Sequence, residues 1–377
     1  MKKKYLKITC IALFVITIGC NNDTDVLSTP KGAFIDYGFI PAPVDASQNI
    51  AGFQTAIYNE NYIFVATSDG IWKNNLSTKT WSRAGLEGKK ITAIYKHPTI
   101  ANKFFVGVKS DYSETSKTLY ISNDGGITWQ EGNNLIYDSL DNHYENYVCF
   151  AVRPNNPNHI YANLEGGTML AISTDGGMNW HRMNNETESY FGYQSNIIFL
   201  PNNANVIYQG SENPLDSAWL GKYDIDTANP VLLSNFSEII DMDVWGNRRP
   251  NELQTYPYTG NSIYIGLEGA LAKVTEGNNK FIYKSENNNF PYSYIHAIWV
   301  DPNDSKHLLF GGDQNGGGDM NLYETYDEGT TINRFTDKMG FDTPNVREII
   351  STNSYPAIVI CDTEANKVKL YLYKPAH

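Results

Sequence analysis

Residues 118–129 read T-L-Y-I-S-N-D-G-G-I-T-W, and residues 169–180 read M-L-A-I-S-T-D-G-G-M-N-W. Each copy is an alternating strand, a tight turn carrying Ser, Asp and two Gly, and a second strand opened by Trp. That order specifies a β-hairpin. Glycine supplies the positive φ of the turn, the Asp side chain can bond the amides behind it, and the indole covers an apolar face. Trp129 and Trp180 lie 51 residues apart, so the chain must be tested for a repeat.

The test succeeds in both directions. Trp81 closes a related stretch, G-I-W-K-N-N-L-S-T-K-T-W, in which Leu76 and Thr78 replace the Asp and Gly. Downstream, residues 270–281 keep the spacing with Phe281 in the Trp position, and 321–332 keep Thr325, Asp327, Gly329 and Thr331. Residues 221–231 fill the remaining gap. A second signature precedes each hairpin: an apolar strand, a polar turn, then a short strand ending in a small residue. It begins at Ile91 (I-T-A-I-Y), Phe150, Ile197 and Ile295 (I-H-A-I-W), with weaker versions over 53–67, 239–266 and 346–361. Seven units of about 50 residues, each with four strands, predict an all-β fold: a seven-bladed β-propeller with four-stranded antiparallel blades.

Three regions follow: 1–19, 20–33 and 34–377. Residues 1–19 combine Lys2, Lys3, Lys4 and Lys7 with an apolar run over 8–18 too short to span a bilayer, closed by Thr17-Ile18-Gly19-Cys20. Residues 20–33 read as a polar tether. Residues 34–40, F-I-D-Y-G-F-I, form a strand with no local partner. The last unit lacks an outer strand, because its third strand, 368–373, is followed by only four residues. The N-terminal strand is therefore expected to complete the seventh blade and close the ring, which removes an open sheet edge.

Removing residues 1–19 takes the formal net charge from -12 to -16. That acidity argues against nucleic acid and against a polybasic membrane patch. Of the four cysteines, Cys149 and Cys361 fall in strands of units three and seven, which are not neighbours in a ring of seven, so buried thiols are expected rather than a disulfide.

Ser122, Asp124, Gly126, Thr128 and Trp129, with Ser173, Asp175, Gly177 and Trp180, resemble the Asp-box of the BNR-repeat propellers, the sialidase-like superfamily. The resemblance implies that these boxes are structural and lie on the rim away from the ligand face. Residues 17–20 resemble a bacterial lipoprotein signal. That resemblance implies removal of a signal peptide, lipidation of Cys20 with palmitate-type chains, and an outer-membrane location facing the periplasm or the medium. Asp23 and Asp25 look like the export signals of surface lipoproteins.

Blade geometry places the loops that open the inner strand, and those joining second to third strands, opposite the boxes. These loops carry acids interleaved with aromatic rings, which suits a sugar because pyranose faces stack on rings and hydroxyls bond carboxylates. The candidate ligand-binding residues are Asp111, Tyr112, Tyr190, Tyr193, Asp216, Trp219 and Tyr292; the alternative is that Tyr-rich loops only plug the channel. If the protein is an enzyme, a polysaccharide lyase or a glycoside hydrolase fits. A lyase needs a Tyr or His base and a cation for the uronate, and His143, Tyr144, Glu145, Tyr294, His296 and Arg347, with Tyr147, offer the parts. A sialidase is disfavoured: where that family has Phe-Arg-Ile-Pro, this chain has Gly38-Phe39-Ile40-Pro41 without the arginine. His97, His159 and His307 fall in turns on the box face and are expected to be structural.

No cofactor motif is present. The loop 311–319 is not a phosphate cradle, and Asp313 with Asp319 is the one pair there suited to calcium. Residues 245–259 read as an insertion between the first two strands of unit five, projecting Arg248 and Arg249 from the box face toward a possible protein partner. Binding a glycan, cleaving one, and serving as a protein-protein scaffold all remain open from the residues alone.

Overall fold

The computed structural model describes residues 32–41, 54–111, 116–133, 146–164, 170–182, 194–213, 217–225, 232–235, 250–255, 262–267, 270–275, 278–284, 293–314, 320–335, 337–362 and 366–376. Among the described residues every regular element is a strand. The strands form four-stranded antiparallel sheets arranged as a β-propeller. Six of these sheets are sequential meanders, spanning 56–85, 91–131, 147–182, 194–235, 250–284 and 293–334. A seventh takes its first three strands from 344–374 and its outer strand from Ala33–Phe39.

The first strands of successive sheets touch one another in chain order, and the first strand of the last sheet touches that of the first. The N-terminal strand pairs antiparallel with Lys367–Lys374, setting Phe34 opposite Tyr373 and Ile35 opposite Leu372. Beyond it, Tyr37 and Ile40 share a buried cluster with Ile63, Val65 and Trp72 of the first sheet and Val359, Leu370 and Leu372 of the last. The two chain ends thus bury one core.

Indole N–H groups fasten two of the sheets to the one before them. Trp129 Nε1 donates to the Ala84 carbonyl on the outer strand of the first sheet, at 2.6 Å. Trp81 Nε1 makes the equivalent bond, 3.2 Å, to the Gly38 carbonyl on the N-terminal strand. The N-terminal segment therefore occupies the same structural position as an ordinary outer strand. Trp180 differs: its N–H turns back to Gly177 of its own turn, and its ring packs edge-on against Tyr147.

The Ser-x-Asp-x-Gly turns are built alike. Ser122 Oγ donates to Asp124 Oδ1 and accepts from the Gly126 amide, both at 2.8 Å, while the amides of Ile127 and Thr128 donate to the same carboxylate. Ser173, Asp175, Gly177, Met178 and Asn179 repeat the pattern, and Thr325 and Asp327 supply a third copy. Gly126 (φ 81°) and Gly177 (φ 94°) need left-handed backbone, and a Cβ on either would collide with Phe64 or Phe105 of the preceding sheet. The glycines are required by both conformation and packing.

Two expectations about strand placement fail. The inner strand of the fifth sheet is Pro250–Thr255, paired with Ser262–Leu267, and so lies within the stretch 245–259 read as an insertion. Arg248 and Arg249 precede that strand in the sequence rather than follow it, and they lie outside the described residues. A polar inner strand such as N-E-L-Q-T lacks the apolar run used to find the others. Trp219 was assigned to a loop, but the second and third strands of the fourth sheet run on to pair Ser211 with Trp219. Cys149 and Cys361 are buried and form no disulfide.

Hydrogen bonds from the Thr128 side chain and amide hold the Asp124 carboxyl down at about 2. Burial pushes Asp175 upward, but its bonds from Asn179 and Ser173 also bring it to about 2. A carboxylate depressed in the folded state contributes stability above its unfolded pKa of about 4 and loses it as pH falls through about 2. The double variant Asp124→Asn/Asp175→Asn is expected to melt lower at pH 7 by a few degrees, about 2–4 °C, with the gap closing toward pH 2 in thermal unfolding followed by circular dichroism.

Candidate functional site

The inner strands share one irregularity. In six of the seven the ladder to the second strand slips by one residue near the strand start: between Ile91 and Ala93, Tyr147 and Cys149, Gln194 and Ile197, Pro250 and Glu252, Ile295 and Ala297, and Val346 and Glu348. Such a bulge sets one residue outside the ladder register. The residues so placed in five of them are Thr92, Val148, Asn251, His296 and Arg347. In the first sheet Thr55 stands at the corresponding position, before Ala56, and its carbonyl accepts from Ala66 N. These positions ring the channel mouth on the face opposite the Ser-x-Asp turns, and the titratable ones fall on neighbouring sheets, the sixth and seventh.

Around His296 the geometry is specific. Its ring stacks on Tyr294, with centroids 6.0 Å apart and planes 6° apart, and both side chains are half-buried. His296 Nε2 lies 3.2 Å from Asp313 Oδ2, and Asp313 sits directly opposite Tyr294 on the second strand. The other oxygen, Asp313 Oδ1, is buried without a hydrogen-bond donor. Burial pushes the Asp313 carboxyl upward; the bond from His296 and the charges of His296 and Arg347 outweigh it and leave the group below the ordinary carboxylate range. Asn321 Nδ2 holds the Asp313 carbonyl at 2.9 Å and fixes the strand behind it.

Arg347 neighbours a second carboxyl, Glu348, which is 6% exposed. Its Oε2 accepts from the amide of Thr55 at 2.9 Å and the hydroxyl at 3.3 Å, across the junction of the last and first sheets. Burial raises Glu348 to about 7, against the Thr55 bonds and the Arg347 charge. Near neutral pH this group changes charge beside a fixed cation.

Of the six proposed catalytic residues, Tyr294 and His296 thus come together, and the charge of Arg347 reaches their Asp313 neighbour. They lie on strands rather than in loops. His143, Tyr144 and Glu145 lie outside the described residues, as do Tyr112, Tyr190, Tyr193, Asp216 and Tyr292, and Cys20; Trp219 is described only in its backbone. Asp111 is exposed, its amide donating to Ser116 Oγ at 3.2 Å. Tyr147 does not belong to the site: it is fully buried and stacks on Phe150 at 5.7 Å, so its ring serves the core. Asp313, one half of the calcium pair, is bonded to His296, and Asp319 lies outside the described residues. Among the described residues no cluster of three or more His, Cys, Asp and Glu could hold a metal ion.

The reading of the residues missed Glu348 and the pairing of Asp313 with His296. A signal existed in I-T-A-I, I-H-A-I and V-R-E-I, whose second position is the bulge. Gln54 carried no such signal; its side chain both donates to and accepts from the backbone of Phe150, two sheets away, at 2.8 Å. On the opposite face His97 caps the amides of Thr99 and Ile100, and His307 is held between Asp301 and Glu324.

No family model matches the chain, and no curated protein sequence matches it. Solved structures do. YCF48 bound to a D1 peptide superposes with a TM-score of 0.58 at 11% identity, covering 92% of this chain and 96% of that one. The GH74 xyloglucanase of Xanthomonas campestris gives 0.62 at 13% identity over 88% of this chain, which spans only 52% of the xyloglucanase. The extracellular domain of a one-component system from B. thetaiotaomicron gives 0.60 at 13%, over 90% of this chain and 40% of that one. At such identities the likeness establishes the propeller fold and nothing finer.

Replacing His296 with Leu removes the bond and the charge that oppose burial, so Asp313 should titrate at higher pH in the His296→Leu variant. Carboxyl-carbon NMR of selectively labelled protein measures this, and the same variant should leave the Asp124 resonance unmoved.

Proposed function

We propose that this chain is an Asp-box propeller of seven blades, its ring closed by the N-terminal strand, that binds a glycan at the mouth formed by the sixth and seventh blades. The observation carrying this reading is the half-exposed Tyr294–His296 ring pair beside the Asp313 carboxylate and Arg347. A ring face takes a pyranose face, and an acceptor and a donor side by side take neighbouring hydroxyls. The xyloglucanase among the structural neighbours lends the glycan class support. The basic and apolar segment ending at Cys20 supports a lipid-anchored outer-membrane protein, attached to the membrane through that anchor and directed to polysaccharide capture or breakdown.

The His296–Asp313 pair favours a second reading, a polysaccharide lyase. A histidine oriented by a carboxylate can take the proton beside a uronate carboxyl, with Arg347 opposing the charge that develops. The peptide-bound YCF48 neighbour keeps a protein partner as the third reading.

Affinity electrophoresis against acidic and neutral polysaccharides, with absorbance read for unsaturated uronates, separates the three. Retardation by at least one polysaccharide is expected, weakened about tenfold or more in Tyr294→Ala and Asp313→Asn, and unchanged in Lys306→Gln on the opposite face. Rising absorbance would assign the lyase. Silence across the whole panel would sink the glycan reading and leave the scaffold.

A further inference from the structure

Strand direction fixes where the N-terminal tether leaves the propeller. The third strand of the second sheet, Leu119–Ser122, runs into the Asp124 turn. Lys367–Lys374 is the third strand of the last sheet, so its Lys374 end lies on that same face. Ala33 pairs with Lys374, and the N-terminal strand therefore starts there and runs toward the channel-mouth face, where Phe39 pairs with Lys369. A second set of contacts agrees. The backbone of Gly32 bonds the Tyr373 hydroxyl, and Tyr373 in turn neighbours Tyr326, a residue of the Thr325–Asp327 turn.

The same face carries the exposed apolar side chains. Among the described residues four large ones are exposed, and three of them stand in these turns: Ile127 at 75%, Met178 at 56% and Tyr326 at 37%. Ile127 and Met178 occupy the same position of consecutive turns, on adjacent sheets, where nothing in the hairpin requires an apolar residue.

We infer that the Ser-x-Asp turn face rests on the lipid bilayer, with Ile127 and Met178 touching the headgroup region and the His296 mouth directed away from the membrane. This rests on the proposed anchoring through Cys20. A random coil of the length that separates Cys20 from Ala33 would have a root-mean-square reach of roughly 20 Å. The seven-residue strand it feeds is itself about 23 Å long. To turn the mouth toward the bilayer the tether would have to extend along the whole side of the propeller, so the face it leaves from is the face it holds down. An acidic chain gains nothing from anionic headgroups, which leaves the tether to concentrate the two apolar side chains at the surface.

The test uses the full chain with its N-terminus, isolated with detergent and reconstituted into phosphatidylethanolamine–phosphatidylglycerol vesicles containing headgroup nitroxide lipid. Single variants Ile127→Cys, Met178→Cys and Glu87→Cys carry an environment-sensitive fluorophore; Cys149 and Cys361 are buried and escape labelling. Glu87 lies on the mouth side, between the first and second sheets. Quenching at positions 127 and 178 at least threefold stronger than at 87 is the expected result. Equal quenching at all three, or stronger quenching at 87, in protein that sediments with the vesicles would overturn this orientation alone. Protein that stays in the supernatant would overturn the anchoring and the orientation together.

Discussion

Hydrogen bonding between the two ends of the chain is the constraint on which the other features depend. A row of sheets leaves the faces of its two end sheets uncovered, and closing the row covers both, so that only the short, protected edges of the individual sheets remain. Here Ala33–Phe39 supplies the outer strand that Pro344–Ile350, Ala357–Asp362 and Lys367–Lys374 lack. The bond from Trp81 to Gly38 repeats the bond from Trp129 to Ala84, so the junction of first and last sheets is made with the same fastener as an internal one. Long-range pairing of this kind is costly in chain entropy and is secured only when the shared core of Tyr37, Trp72 and Leu370 forms with it.

Two kinds of carboxyl serve this architecture and pull pH dependence in opposite directions. Asp124 and Asp175 are saturated with donors and held at about 2, so they favour the folded state above acidic pH. Glu348 is buried at the junction and raised to about 7; its contribution is greatest below its unfolded pKa and declines as pH rises through 7. The turn carboxylates lie at the opposite end of the sheets from the inner-strand bulges. Glu348, beside Arg347 in the chain, bonds the last sheet to the first through Thr55.

Much of the architecture was legible because a propeller repeats its instructions. Seven copies of a strand-turn-strand pattern average out local ambiguity, and the missing outer strand could be found by counting. What failed was local. The inner strand Pro250–Thr255 has one Leu among polar residues and gives no apolar period, while Tyr147 looked like a loop aromatic because the preceding residues are polar. The site was half legible. Tyr294, His296 and Arg347 stood out by chemistry, but their assembly depends on a one-residue slip in each inner strand that periodicity alone does not announce. The contribution of Asp313 arises from pairing across the sheet, which no spacing along one strand reveals.

Amide hydrogen exchange on two forms of the chain, one starting at Gly32 and one at Gln54, measures the closure most directly. The longer form should unfold in one cooperative transition, with amides of Lys367–Lys374 among the best protected. Without the N-terminal strand, protection should fall first in 344–374 and 56–75, and the melting midpoint should drop. Equal protection of 367–374 in the two forms, with an unchanged midpoint, would contradict the account.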